Sequence, residues 1–309
     1  MKVDSPLRYP GSKATFAPAV KAFVNACGYQ GFEVVEPFAG GGSVSLSLLS
    51  SGACSRATLI EKDVLLFAFW HSVFFDTNKL CEAIFDVDVT LESWHALRPL
   101  LDEKRVTKKN RLQIATAALF FNRTNFSGVL HAGPIGGYQQ KSEYKIDCRF
   151  NKEEIVRRIL RISDLRDRVS VVHGDALEHL EADVERENKF YYIDPPYFVQ
   201  GEKLYRHSFD VASHKRLAAA LSRLNAPWLL SYDRHPYIEL LYERFASSAF
   251  EFRYSSKTRK VEQEFLATNV RLPRGFGSPV QPRVPAQLRK RKVKPESAPV
   301  GDLFGLDLP

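Results

Sequence analysis

Residues 32–63 read FEVVEPFAGGGSVSLSLLSSGACSRATLIEKD, and this stretch decides the fold. Phe32 to Glu36 is a short strand-forming run, glycines crowd the turn that follows, apolar residues recur at helical spacing from Ser43, and a second strand run, Ala57 to Glu61, closes on an acid. Strand, helix and strand in that order imply a parallel sheet, because parallel neighbours need a crossover and a helix is the usual one.

Working outward, the spacing predicts a helix over Pro18 to Ala26. From Val64 to Arg168 strand signals nearly vanish, and helical patterns appear at Leu65 to Phe75, Leu91 to Leu101, Arg111 to Phe121 and Lys152 to Ile162. Residues 64–168 therefore read as a helical insertion. Inside it, Asn122 to Lys145 (NRTNFSGVLHAGPIGGYQQKSEYK) is too rich in turn residues for helix, so 122–147 is expected to be a long loop or hairpin.

Strands resume at Val169 to His173, Lys189 to Asp194, Trp228 to Tyr232, Phe250 to Tyr254 and Phe265 to Val270. Only SSKTRKVEQE separates the last two, too little for a crossover helix, so they should pair antiparallel and end the sheet on a reversed strand. Residues 1–63 and 169–272 then form one α/β domain around the insertion. Beyond Pro273 the chain turns to Pro, Arg and Lys, which bury too little apolar surface to offset chain entropy, and 273–309 is expected to be disordered. Its Arg289 to Lys292 run suits nonspecific contact with a polyanion, while Leu303, Phe304 and Leu306 suit docking into a partner's groove.

A chain of 309 residues that is 44% hydrophobic can bury a full core. No run approaches the roughly 20 apolar residues of a membrane span, and MKVDSPLRYPGSK carries no apolar stretch behind its early lysine, so a cytoplasmic protein is expected. Cys27, Cys54, Cys81 and Cys148 lie far apart, without paired or zinc-ligand spacing, and read as reduced thiols with no metal. The net charge of +8 favours a polyanionic partner, nucleic acid first and an anionic membrane surface second.

Three stretches carry chemistry. In EPFAGGGS, Glu36 to Ser43, the glycines allow a tight strand-to-helix turn with room for a ligand at the sheet edge, although a plain tight connection would look the same. Glu61 closes the next strand, where a carboxylate commonly accepts from ribose hydroxyls, and Asp63 competes for that role. In KFYYIDPPYF an apolar strand delivers Asp194, Pro195, Pro196 and Tyr197. Two prolines remove two backbone donors and fix the chain, so the preceding carbonyls stay rigid and open to an amine.

In combination, RYPGSK (Arg8 to Lys13), EPFAGGGS, LIEKD and IDPPYF, in this order and with a helical insertion before the last, resemble the Dam-like family of adenine-N6 DNA methyltransferases from Leu7 to Asn269. FNRTNFSG (Phe121 to Gly128) looks like the entrance to the family's DNA-reading hairpin, and TRKVEQEFLATN (Thr258 to Asn269) like its C-terminal motif. The resemblance implies a Rossmann-like methyltransferase sheet, mostly parallel with a reversed final strand, plus an inserted helical DNA-recognition domain. It implies S-adenosylmethionine as cofactor and double-stranded DNA as partner, in the nucleoid, with a cognate restriction endonuclease as a further candidate partner.

By position, the resemblance puts Tyr9 and Lys13 at the cofactor's amino-acid end and sulfonium, where the family more often has an aromatic-Ala-Gly-Gly-Lys pattern. Glu36, Phe38, Gly40, Gly42 and Glu61 would line the cofactor, Glu61 standing where the family usually has Asp, and Asp175 in HGDAL would contact its adenine. Asp194, Pro195, Pro196 and Tyr197 would be catalytic, with Asp194 also facing the cofactor. Arg123, Asn125, Gln139 and Lys141 would meet DNA, with His131, Gln140, Lys145 and the basic run Arg98 to Arg111 as further candidates.

Adenine N6 is a poor nucleophile because its lone pair is delocalised into the ring. Asp194 and the Pro195 carbonyl could draw its two hydrogens out of plane and expose that pair to the methyl group. A base inside a duplex must first leave the stack, and Tyr197, with Phe198, offers a replacement aromatic face. Three rivals stand beside this reading. An N4-cytosine methyltransferase more often begins its motif with Ser. RNA and protein-glutamine methyltransferases fit the long insertion less well, and glutamine enzymes typically begin with Asn. A non-catalytic DNA-binding module has no reason to keep Tyr9, Lys13, the glycine turn, Glu61 and Asp194 together.

Overall fold

The computed structural model describes residues 4–8, 13–182, 188–199, 206–253 and 261–278. Its strands are β1 (Glu33–Glu36), β2 (Arg56–Glu61), β3 (Val169–His173), β4 (Lys189–Ile193), β5 (Trp228–Asp233), β6 (Ala246–Arg253) and β7 (Val261–Thr268). They form one sheet in the order β3-β2-β1-β4-β5-β7-β6. The first five are parallel, and β7 runs antiparallel between β5 and β6, as the short link between the last two strands predicts. β6 begins earlier than the aromatic pattern suggests, because Ala246 is already paired with Thr268.

Alternate residues on each strand face opposite helical layers, the period of two expected of a buried sheet. Val34, Leu59, Phe190 and Tyr192 face the layer of α1 (Ala17–Ala26), α2 (Ser43–Ser50), α3 (Val64–Phe75), α4 (Thr77–Asp86), α5 (Leu91–Leu97), α6 (Arg111–Thr124) and α7 (Lys152–Ser163). Val35, Ile60, Tyr191 and Ile193 face α8 (Ala176–Ala182), α9 (Val211–Arg223) and α10 (Pro236–Leu241).

The helices of 64–168 share one core with the sheet. α3 is the reason: it is buried on nearly every side, wedged between the sheet and α6. Asp63 caps it by accepting from the Leu65 N–H at 2.8 Å. α7 is amphipathic in the ordinary way, with Ile155, Val156, Ile159 and Ile162 buried, Asn151 capping the Glu154 N–H at 2.8 Å and two glutamates in the first turn. The short amphipathic helix α4, absent from the sequence reading, buries Leu80, Cys81 and Ile84 between α6 and α7.

One expectation is narrowed and one is corrected. Of the two forms expected for the 122–147 segment, loop or hairpin, the structure has the loop. α6 continues through Thr124, and beyond it only an isolated bridge, Asn125 to Pro134, and a 3-10 turn, Phe126–Gly128, interrupt irregular chain. The ordered body also passes Pro273: Phe276 packs on Phe23 and Phe250, and Ser278 exchanges backbone hydrogen bonds with Ala249 at 2.7 and 2.8 Å. One aromatic anchor holds a stretch whose average composition reads as unstructured. Residues 279–309, with the Arg289 to Lys292 run and the Leu303 to Leu306 segment, lie outside the described residues. No described helix is long and apolar enough to cross a membrane.

Candidate active site

The carboxyl ends of β1, β2 and β4 open onto one cleft of about 230 Å³, at the place where open α/β sheets bind ligands. The glycine turn forms one wall. Gly40 and Gly42 have φ of 45° and 61°, a region that side chains disfavour. The turn rests on Trp70 of α3, whose indole N–H donates to the Gly40 carbonyl at 2.8 Å, and a Cβ on Gly42 would lie 3.1 Å from its ring. The sequence reading missed Trp70 because nothing in a buried helix marks which aromatic supports a loop.

Two acids sit beneath this turn. Glu61 accepts from the Gly40 N–H at 3.0 Å and the Asp63 N–H at 2.9 Å; burial, then the Asp63 charge, push its carboxyl up to about 7. Glu36 accepts from the Ser45 N–H at 3.1 Å, and burial pushes its carboxyl up to about 8. Asp63 is committed to capping α3 and to an ion pair with Arg206 at 3.5 Å, which leaves Glu61 as the better ribose candidate. Asp175 caps α8 through the Leu177 N–H at 2.8 Å and pairs with Lys62 at 2.7 Å; these contacts outweigh burial and hold its carboxyl below the usual range. Phe38 meets Phe209 edge-on, their ring centroids 5.6 Å apart.

Asp194 stands at the tip of β4, and its side chain is 20% exposed. Its Oδ1 receives the Ser231 hydroxyl at 2.9 Å and the Lys13 ammonium at 2.9 Å, while Ser231 in turn pairs with the Tyr192 hydroxyl at 2.8 Å. Lys13, 4% exposed, also reaches Glu264 of β7 at 3.2 Å and the Tyr197 hydroxyl at 3.2 Å. Burial alone would lower the Lys13 pKa, but Asp194 and Glu264 together raise it well above the usual value, so the residue is a cation. The ammonium lies 5.1 Å from the Tyr197 ring centroid, as its bond to the hydroxyl at the ring edge requires.

Of the residues the sequence points to, Lys13, Glu36, Phe38, Gly40, Gly42, Glu61, Asp175, Asp194 and Pro196 line this cleft. Pro195 is buried beside it, Tyr197 turns its hydroxyl toward Lys13, and Tyr9 lies outside the described residues. Phe198 is not placed to share a stacking role with Tyr197: its ring packs among His214, His235 and Tyr237, and its N–H is held by Asp233 at 2.8 Å. The reading missed the Arg206 to Phe209 segment and Arg216, which close the other side of the cleft. It also missed Glu264 and Ser231. An acid amid the apolar residues of EFLAT was the available signal for the first; a serine within a strand carries none.

The four DNA candidates separate. Gln139 and Lys141 are exposed. Asn125 is fully buried, accepting from the Trp94 indole at 2.7 Å and donating to the Leu130 carbonyl at 2.7 Å, so it builds the loop and cannot read a base edge. Arg123 donates to the Pro6 carbonyl, and burial, then the charges of Arg158 and Arg8, lower its pKa to about 10. It fastens the N-terminal segment. Gln140 is likewise internal, bonded to the Ile135 carbonyl and the Ile146 N–H. Phe126, by contrast, is 71% exposed on the same loop.

Sheet order, glycine turn and acid-tipped strands define a Rossmann-like methyltransferase, an enzyme whose cofactor is S-adenosylmethionine. The family model for D12 class N6 adenine-specific DNA methyltransferases matches residues 9–261, and the chain belongs to that family. No curated protein matches the sequence. Solved structures similar to it include TrmN from Thermus thermophilus (14% identity, covering 83% of this chain and 49% of that one, TM-score 0.37). Another is precorrin 8W decarboxylase from Methanobacterium thermoautotrophicum (11% identity, 87% and 98% covered, TM-score 0.36).

Proposed function

We propose that this methyltransferase acts on an adenine turned out of duplex DNA, and that residues 64–168 supply target recognition. The observation that carries the reading is Asp194, partly open to the same cleft that the glycine turn and Glu61 line. When bound, the cofactor supplies an electrophilic methyl on a sulfonium. Lys13 and Ser231 both occupy Oδ1 of Asp194; in the proposed reaction Oδ2 accepts from one N6 hydrogen and the Pro195 carbonyl from the other. Fixing the acceptor before substrate arrives removes reorganisation from the reaction step. Tyr197, anchored by its hydroxyl, offers a ring for the extruded base.

An exposed aromatic on a polar loop suits the gap that such a base leaves, because an apolar wedge offsets lost stacking. Phe126 takes that role here. With tritiated cofactor and genomic DNA, nuclease digestion should yield labelled N6-methyladenine; labelled N4-methylcytosine instead would reject the reading. Phe126→Ala should slow methylation of duplex by about tenfold, of the order of one stacking contact, and leave heat-denatured DNA nearly unaffected. Equal slowing on both substrates removes the wedge role.

The raised carboxyls predict a pH dependence. Glu36, facing Asp194 and Lys13, and Glu61, facing Asp63, hold protons near neutral pH in the ligand-free cleft. A cationic ligand favours their ionised forms, so binding releases protons, and cofactor affinity should rise between pH 6 and pH 8 and then level off. Stability has the opposite sign. These folded-state pKa values exceed the unfolded ones, so the stability they contribute is lost in the ligand-free protein as pH rises toward 8. Calorimetry in buffers of different ionisation enthalpy checks the coupling, and a flat affinity over that range contradicts it.

A further inference from the structure

We propose that Glu264, acting through Lys13, sets the charge by which the cleft prefers S-adenosylmethionine to S-adenosylhomocysteine; this deepens the cofactor site described above. Glu264 is followed on its strand by Phe265, Leu266 and Ala267, all buried, and is itself only 3% exposed. A buried carboxylate is costly unless its charge is used or matched. Its Oε1 lies 3.2 Å from the Lys13 ammonium, which also meets Asp194 and Tyr197; three acceptors are thus within reach of three ammonium N–H groups.

Lys13 lines the cleft, and a lysine cation there repels a sulfonium, a cation that has no proton to shed. Asp194 alone would bring the pair to neutrality. With Glu264 the three groups Asp194, Lys13 and Glu264 carry one net negative charge among themselves, to which Glu36 adds as it ionises, and this attracts the sulfonium. In the reaction the N6 lone pair forms the carbon–nitrogen bond as the carbon–sulfur bond breaks with its electron pair left on sulfur, and the N6 proton passes by way of Asp194 to solvent. The sulfur is left neutral, and the cluster no longer favours what remains bound. Glu264 is therefore a positioning and charge-setting residue that touches neither substrate.

The test is calorimetric binding of S-adenosylmethionine and S-adenosylhomocysteine to the full chain. Glu264→Gln should lower the ratio of their affinities by about tenfold or more, tenfold being the scale of one unit charge about 12 Å away in an effective dielectric near 20. Glu264→Asp should keep most of the ratio. The double variant Lys13→Met with Glu264→Gln leaves Asp194 alone, restores one net negative charge and should recover the wild-type ratio, which a purely structural role would not do. An unchanged ratio in Glu264→Gln, or a double variant with a ratio tenfold below wild type, overturns the proposal. If Glu264→Gln does not fold, the double variant decides by the same criterion. Wild-type protein that binds neither compound would instead refute the cofactor site itself.

Discussion

Asp194→Ala is expected to lower single-turnover methyl transfer by at least about a thousandfold, while affinity for S-adenosylhomocysteine, which carries no sulfonium charge, changes by less than about tenfold. The asymmetry follows from the contacts. Oδ1 of Asp194 is spent on Lys13 and Ser231, and in the proposed reaction the group lost is the acceptor for the nucleophile, while its charge acts on a sulfonium that S-adenosylhomocysteine lacks. Removing it leaves N6 conjugated to its ring with one hydrogen unclaimed. The fold should survive, because Lys13 keeps Glu264 at 3.2 Å and its ammonium is not stranded. Tritium incorporation and calorimetry measure the two quantities, and transfer within tenfold of wild type would eliminate Asp194 as the acceptor.

Gly128→Ala is expected to cost about 2–4 kcal/mol of stability and to reduce methyl transfer with it. Gly128 has φ of +76°, and a Cβ there would lie 2.2 Å from the Arg8 carbonyl oxygen, a backbone atom that cannot swing aside. The same stretch is held by Asn122, which accepts from the Arg8 N–H at 2.7 Å and donates to the Arg8 carbonyl at 2.9 Å. A displaced Arg8 therefore loosens the start of the 122–147 loop, to which Asn122 and Gly128 bind it. Gly137→Ala is the control: φ is +70° but nothing lies within 4 Å, so only backbone strain of about 1 kcal/mol remains. Equal melting temperatures for the two variants would remove the steric argument.

Much of the cleft was legible because its parts are local. A strand followed at once by EPFAGGGS puts glycines where the chain must turn through positive φ, and IDPPYF ends a strand on an acid that two prolines hold rigid. The reversed strand followed from a link too short to cross over. What stayed hidden is nonlocal. Asn125 looks like a polar loop residue able to read a base, yet it is spent on Trp94, 31 residues away, and on its own loop. Phe276 sits in a Pro- and Arg-rich stretch, and only its docking site on Phe23 and Phe250 makes it ordered.

From the sequence alone came the α/β layering, the order of strands and helices around the cleft, and most of the residues that line it, since hydrophobic period, turn chemistry and motif spacing are properties of neighbours along the chain. Tertiary structure alone decided that Lys13 and Ser231 share Oδ1 of Asp194, which loop residues are structural, and that Glu264 of β7 pairs with Lys13. Those outcomes depend on groups from separate strands meeting in a low-dielectric interior, where an ion's state is set by whatever faces it across space.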